Sequence, residues 1–193
     1  MMRSVNVTVY SRSGTCHLRP KCILAPSSPH EVGKVLRVIR FLDCPFAIRS
    51  GGHNPNHGWA SIDDRGVLID LARLSTIEIS RDLKTVKIGP GLRWLEVYKA
   101  FDGTGVKVLG GRTPDVGVGG LILGGGIPNF ASEFGLVCDN VIEFEVVLAD
   151  STILTASAVR NQDLFWALKG GGANFGEGPF SYGLQVLLTI RSP

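Results

Sequence analysis

The sequence predicts an α+β fold of two subdomains, a small βαβ unit and a mixed or antiparallel sheet with flanking helices. Three observations carry that expectation. An amphipathic segment lies between two short apolar runs near the start of the chain, alternating strand-like segments joined by turns follow it, and the 25 glycines are gathered in blocks.

Cys22-Ile23-Leu24-Ala25 reads as the first strand, and Ser28-Pro29-His30-Glu31 as a capping box with proline at the first helical position. Val32, Val35, Leu36, Ile39 and Leu42 then recur on one face, as an amphipathic helix requires. Phe46-Ala47-Ile48 is the second strand of the βαβ unit, so the stretch RSGGHNPNHG that follows sits where a buried strand emerges. Val67-Leu68-Ile69-Asp70-Leu71 is the next strand, and Ile77 to Ile79 pairs with Thr85 to Ile88 in a hairpin across Arg81-Asp82-Leu83-Lys84. Gly89-Pro90-Gly91 breaks the chain ahead of a short helix from Trp94 to Lys99. Ile142, Phe144, Val146 and Leu148 alternate with Glu143 and Glu145, the pattern of a half-buried strand, and Ala149-Asp150-Ser151 turns it into Thr152 to Thr155. Asn161 is placed to cap a helix carrying Leu164, Phe165 and Leu168, Gly170 to end it, and Leu184, Val186, Leu188 and Ile190 to form a last strand.

Composition narrows the function. The chain is 44% hydrophobic and 19% charged, and its net charge of +3 is too small for a nucleic-acid footprint. No apolar run reaches the roughly 18 to 20 residues that cross a bilayer, since the stretch from Val116 to Ile127 is half glycine. The amino-terminal MMRSVNVTVYSRSGTC lacks the apolar core of a signal peptide, so cytoplasmic residence is the default expectation. Cys16, Cys22, Cys44 and Cys138 show no zinc-like spacing and read as thiols rather than ligands. A Cys16 to Cys22 disulfide and glycosylation at Asn6-Val7-Thr8 would both need an oxidising compartment, against which the missing leader argues.

Ten glycines fall between Gly103 and Gly126 and six between Gly170 and Gly183, a density that implies close approach of backbone to another backbone or to a ligand. No G-x-G-x-x-G joins a strand to a helix, and the Walker pattern is absent, which argues against nicotinamide and P-loop chemistry. His53 and His57 stand four apart, but Pro55 and Gly58 oppose the helix that a two-histidine metal site needs, and no third ligand is in register. Ser50, His53 and Asp63 or Asp70 assemble a hydrolytic triad on paper only, because Ser50 is on no G-x-S-x-G elbow. The remaining reading of RSGG is a nest of backbone N–H groups suited to a pyrophosphate, strengthened or braced by Arg49; the alternative is a glycine turn beside a surface histidine. In VGVGGLILGGG, Gly117, Gly120 and Gly124 share one side of a helical turn, a smooth face for a flat ring system or for close helix packing.

AIRSGGHN, the Val-Leu-Ile-Asp-Leu strand, GRTPDVGVGGLILGGG, EFGLVCDNVIEFEVVLAD and NQDLFWALKGGGANFG follow one another in an order and spacing that resemble a known family. It is the PCMH-type FAD-binding domain shared by p-cresol methylhydroxylase, vanillyl-alcohol oxidase and berberine bridge enzyme, and the similarity is closest to the berberine-bridge-type oxidases. It covers about residues 20 to 176, which leaves residues 1–19 as an amino-terminal extension and makes 20–193 the FAD-binding domain, with 177–193 atypical.

The resemblance implies that Arg49, Ser50, Gly51, Gly52 and Asn54 gather at the FAD pyrophosphate, and that His53 bonds covalently to the flavin 8α-methyl carbon. It implies that Gly117, Gly119, Gly120, Gly124 and Gly125 lie against the cofactor and that Asn140 and Val141 add backbone contacts. Many berberine-bridge-type members carry a second tether, a cysteine in the segment matching residues 114–118; Gly117 holds that place here, so a single covalent link is expected. By the same resemblance the substrate domain that roofs the flavin is missing, and Glu177 to Gly183 interrupts the usual run into the last strand, as in a truncated or altered chain. The expected function is an FAD-linked oxidoreductase acting on an alcohol, amine or activated C–H of a small secondary metabolite, with dioxygen as electron acceptor and no catalytic base assigned. The alternative is a truncated, non-catalytic FAD-binding fragment that acts through a partner chain covering its exposed flavin face, or is inactive alone.

Overall fold

The computed structural model describes residues 18–172, 174 and 184–191, the last of these as a strand. Three short strands, β1 (Cys22–Leu24), β2 (Phe46–Arg49) and β3 (Val67–Asp70), form a parallel sheet in the order β1-β3-β2. The first two strands and the helix α1 (Pro29–Phe41) between them are where the sequence places a βαβ unit, but β3 inserts between β1 and β2 and pairs with both, Val67 lying opposite Cys22 and Phe46. A central strand in a parallel sheet is covered on both faces, and Leu68 and Ile69 are accordingly buried.

Helix α1 begins at Ser28, whose Oγ accepts the Glu31 N–H at 3.2 Å. The reciprocal half of the expected capping box is displaced by one residue: the Glu31 carboxylate accepts from the N–H and hydroxyl of Ser27, and these hydrogen bonds hold its carboxyl below the usual range. Val32, Leu36 and Ile39 are buried, whereas Leu42 lies past the last turn as the C-cap and is exposed, so it does not continue the apolar stripe.

The larger sheet is antiparallel, in the order β4-β5-β8-β6-β7, with β4 (Ile77–Ile79), β5 (Thr85–Ile88), β6 (Val141–Val147), β7 (Ile153–Ser157) and β8 (Leu184–Arg191). Both expected hairpins form, and the last strand enters between them. Helices α2 (Trp94–Ala100), α3 (Val118–Leu123), α4 (Ala131–Phe134) and α5 (Gln162–Leu168) accompany this sheet. Its core holds Val86, Ile88, Trp94, Ile122, Phe144 and Leu168. Asn161 is the residue before α5, but it has a left-handed backbone and its amide bonds the Thr155 carbonyl at 2.7 Å instead of capping the helix.

Strict alternation in β6 breaks at both ends: a register shift after Val141 puts that residue in the core in place of the expected Ile142, and at the far end Val146 and Val147 are both buried. Val146 points into the main core, while Val147 joins Val32, Leu36 and Ile69 in a second cluster built on α1. The helix thus lies between the two sheets. Ser151 Oγ bonds the Gly33 carbonyl at 2.8 Å and Arg40 bonds the Ala149 carbonyl at 2.8 Å, tying the same helix to the β6–β7 turn.

Cys138 is buried, and burial with the adjacent Asp139 charge pushes its thiol pKa up, away from reactivity; Cys22 and Cys44 are half-buried. Cys16 and the Asn6 sequon lie outside the described residues.

Tyr98 donates its hydroxyl to the Gly111 carbonyl at 2.6 Å, and burial pushes its pKa up to about 12. The fold therefore favours the neutral phenol: this contribution to stability is complete below the ordinary tyrosine value of about 10 and is lost as pH rises from there through about 12. Tyr98→Phe should cost about 1 kcal/mol at neutral pH through the lost hydrogen bond, yet show a shallower fall in stability across that alkaline window. Denaturant midpoints of both proteins at a series of pH values check both signs.

Candidate cofactor site

Strands β2 and β3 end side by side, with Arg49 paired to Asp70. Their side chains form a largely buried ion pair, guanidinium nitrogen to Asp70 Oδ2 at 2.6 Å. The other Asp70 oxygen accepts the Ala72 N–H at 3.0 Å and starts a 3-10 turn, Leu71–Arg73, which is why the strand stops one residue earlier than its sequence suggests. Arg49 thereby braces the turn from behind, its stem lying beneath Gly52, which has φ +73. Beyond it the chain swings out, and Ser50 Oγ donates to the Pro90 carbonyl at 2.5 Å.

This turn meets the second glycine block main chain to main chain. A Cβ on Gly51 would fall on Gly117 N and 2.5 Å from Gly117 Cα; one on Gly117 would fall on Gly51 N and 2.6 Å from Ser50 Oγ. Neither position admits a side chain without parting the loops. Arg93 closes the junction, donating to the Gly51 carbonyl at 3.1 Å and to the Asp115 carbonyl. Around it Trp94 N–H bonds the Val116 carbonyl, Leu95 N–H that of Pro114, and Val118 N–H that of Leu92, so the start of α2 and the approach to α3 are tied main chain to main chain.

A cleft of about 470 Å³ opens along this junction, lined by the loop from Ser50 to Pro55, by Trp59 and by the backbone of Gly117, Gly119 and Gly120. His53, one-third exposed, is the ionisable side chain among its lining residues, and its Nε2 stands 3.4 Å from Asp115 Oδ2. Among the described residues, the N–H groups of Gly51, Gly52 and His53 donate to no other main-chain carbonyl. Gly120 is exposed with nothing within 4 Å of its Cβ direction, and Trp59 is 56% exposed at the rim.

The glycine-rich face of α3 is therefore divided. Gly117 and Gly119 pack against the first loop and Pro90, as the helix-packing reading requires, while Gly120 is bare and exposed, as the ring-support reading requires; Gly124 is exposed, but a Cβ there would lie 3.4 Å from the Gly120 carbonyl oxygen and away from the cleft. Ser50, Gly51, Gly52, His53, Asn54, Gly117, Gly119 and Gly120 gather at the cleft. Arg49 stands behind it, and Gly124, Gly125, Asn140 and Val141 are not among its lining residues. The Gly125 carbonyl accepts the Cys138 N–H, the Asn140 amide bonds the Phe134 and Leu136 carbonyls, and Val141 is buried in the main core.

His57 lies in a turn, not on a helix with His53, and among the described residues no group of three or more His, Cys, Asp or Glu side chains is placed to hold a metal. The hydrolytic triad is not assembled: Ser50 is bound to Pro90, Asp63 to Arg65 and Asp70 to Arg49, while His53 faces Asp115. Sequence reasoning missed Arg93, Asp115, Pro90 and Trp59. Asp115 lay inside a motif recognised for its glycines, and Arg93 carried no signal, since its partner Gly51 is 42 residues away.

A model of a family described as the FAD binding domain matches residues 20–157. The chain belongs to this FAD-binding domain family. It is 48% identical over 164 residues to the FAD-dependent monooxygenase yanF of Aspergillus niger, covering 85% of this chain and 28% of that protein. It is 46% identical over 166 residues to the FAD-dependent monooxygenase macF of Penicillium terrestre, covering 85% and 32%. The chain thus spans about a third of the length of the curated relatives it matches. Among solved structures it superposes on 6-hydroxy-D-nicotine oxidase from Arthrobacter nicotinovorans with a TM-score of 0.82 at 30% identity, covering 91% of this chain and 37% of that one. It superposes on glucooligosaccharide oxidase from Acremonium strictum, described with a 6-S-cysteinyl, 8α-N1-histidyl FAD, with a TM-score of 0.79 at 27% identity, covering 93% and 36%. The expected α+β fold and the resemblance to berberine-bridge-type and vanillyl-alcohol-oxidase-type flavoproteins both hold.

The two kinds of glycine should respond oppositely to alanine. Gly117→Ala forces a methyl into the Gly51 main chain and should cost about 2 kcal/mol or more. Gly120→Ala meets nothing in a helix and should gain up to about 1 kcal/mol. Thermal melts of the two variants give the comparison.

Proposed function

We propose that this chain forms the cofactor-holding part of an FAD-linked oxidoreductase acting on an alcohol, amine or activated C–H of a small secondary metabolite. The observation that carries the reading is the cleft at the Gly51–Gly117 junction in a chain of the FAD-binding domain family. Its residues suit the group. The N–H groups of Gly51, Gly52 and His53, which donate to no main-chain carbonyl among the described residues, would serve as donors to a diphosphate, bare Gly120 leaves room for a flat ring, and Trp59 adds an aromatic surface at the rim. Bound FAD supplies the redox chemistry, taking a hydride equivalent from substrate and passing electrons to dioxygen.

The chain's own part is to bind, orient and attach. His53 lines the cleft as a partly exposed imidazole, a competent nucleophile toward the flavin 8α-methyl carbon, in keeping with the histidyl linkage named for glucooligosaccharide oxidase. A cysteinyl linkage is also named for that enzyme. Position 117 admits no side chain against Gly51, and the proposal here is one link, through His53.

The curated relatives are named monooxygenases and several structural neighbours oxidases, so oxygen insertion is the second reading. Turnover in labelled dioxygen separates them: peroxide without label in the product supports the oxidase form, and label in the product the other. For attachment, the intact mass of denatured wild-type protein should carry one FAD, and His53→Ala should bind FAD yet release it on acid precipitation. An FAD adduct persisting in His53→Ala would refute the assignment.

A further inference from the structure

We propose that Asp115 is the positioning residue and proton acceptor that prepares His53 to bond the flavin, an inference that rests on the covalent reading above. The crossing of the two glycine blocks sets the geometry. Gly51 and Gly117 touch main chain to main chain, His53 lies two residues after the first and Asp115 two residues before the second, and the two side chains come out opposite each other with Nε2 and Oδ2 3.4 Å apart. At 3.4 Å the pair is an ion-pair contact, not yet an aligned hydrogen bond, and catalytic contacts that are long in an unloaded site commonly tighten on loading.

Both partners are held from behind. Arg93 donates to the Asp115 carbonyl and, through its other nitrogen, to the Gly51 carbonyl, so one guanidinium fixes the spacing between the histidine loop and the aspartate loop. The adjoining carbonyls of Pro114 and Val116 are bonded to α2. The other carboxylates near this turn are committed elsewhere, Asp70 to Arg49 and Asp63 to Arg65, whereas Asp115 faces the imidazole.

The pairing decides which nitrogen reacts. A carboxylate on Nε2 favours the tautomer with its proton there, which puts the lone pair on Nδ1. Attachment forms a bond from Nδ1 to the flavin 8α carbon and breaks one C–H bond of that methyl, whose proton leaves to solvent. The Nε2 proton passes to Asp115. The flavin ring gains the electron pair and is reduced by two electrons, which it returns to dioxygen as hydrogen peroxide. Histidine N–H, flavin methyl and dioxygen thus yield the histidyl link and one peroxide.

The test is the rate at which flavin-free protein, incubated with FAD in air, acquires covalent flavin, followed by intact mass and by in-gel fluorescence of denatured samples. Asp115→Asn should slow attachment about 10- to 100-fold while non-covalent FAD affinity and melting temperature stay near wild type, because an amide still packs but cannot take the proton. Asp115→Glu should recover part of the rate. A merely structural role would move affinity and melting temperature with the rate. Attachment in Asp115→Asn at the wild-type rate overturns this proposal and leaves the His53 link standing, as does a slow rate accompanied by equal loss of FAD affinity. Wild-type protein that binds FAD and never acquires it covalently overturns both readings.

Discussion

The site depends on one contact, the meeting of Gly51 and Gly117 without a Cβ between them. Two loops 66 positions apart in sequence approach as closely as two strands of bare backbone can, and everything that follows is registered by that crossing. His53 and Asp115 are opposed because each is two residues from it, Arg93 spans it because the carbonyls of Gly51 and Asp115 are brought within reach of one guanidinium, and the cleft opens where the loops diverge. Backbone contact of this kind is stiff, since close packing leaves the chains no soft direction in which to slide.

Charge is used around the cleft and kept out of it. Arg49 and Arg93 both point at protein: one is paired with Asp70, the other bonded to two carbonyls. A freely exposed arginine would carry its own hydration and rotamer entropy to an anion, whereas main-chain N–H groups held by a braced turn bring neither. The partly buried Arg49–Asp70 pair is better understood as setting geometry than as adding stability. Its desolvation offsets much of its attraction, but it holds the Arg49 stem beneath Gly52 and fixes where the strand ends.

Local elements were legible in the sequence because their signals are local. Helix α1 shows in its periodicity and in Ser28, the β4–β5 hairpin in its turn, and β6 in its alternation. Strand order was not, since the insertion of β3 between β1 and β2 and of β8 between β5 and β6 depends on pairing between distant segments whose apolar faces are interchangeable in composition. The double burial of Val146 and Val147 follows from the same cause: it needs α1 on one side and the main core on the other. At the site, glycine density announced close backbone approach, and the loop at 50–54 with Gly117 to Gly120 did come together. The division of labour among those glycines was hidden, because a glycine that admits a neighbouring chain and one that leaves space empty are the same letter. Asp115 and Arg93 escaped notice because their partners are fixed only by the crossing.

That division gives a physical criterion for what the bare face of α3 is for. In a six-residue helix, glycine in place of alanine costs about 1 kcal/mol, and packing explains the cost at Gly119, which rests on Pro90. It does not explain Gly120, where a methyl would meet nothing. Stability given up at a position with free space around it finds no compensation in packing among the described residues. On the proposed reading, a flat ring laid against that backbone, in a cleft lined by the Gly51–His53 loop and its imidazole, would account for the missing side chain as packing does not.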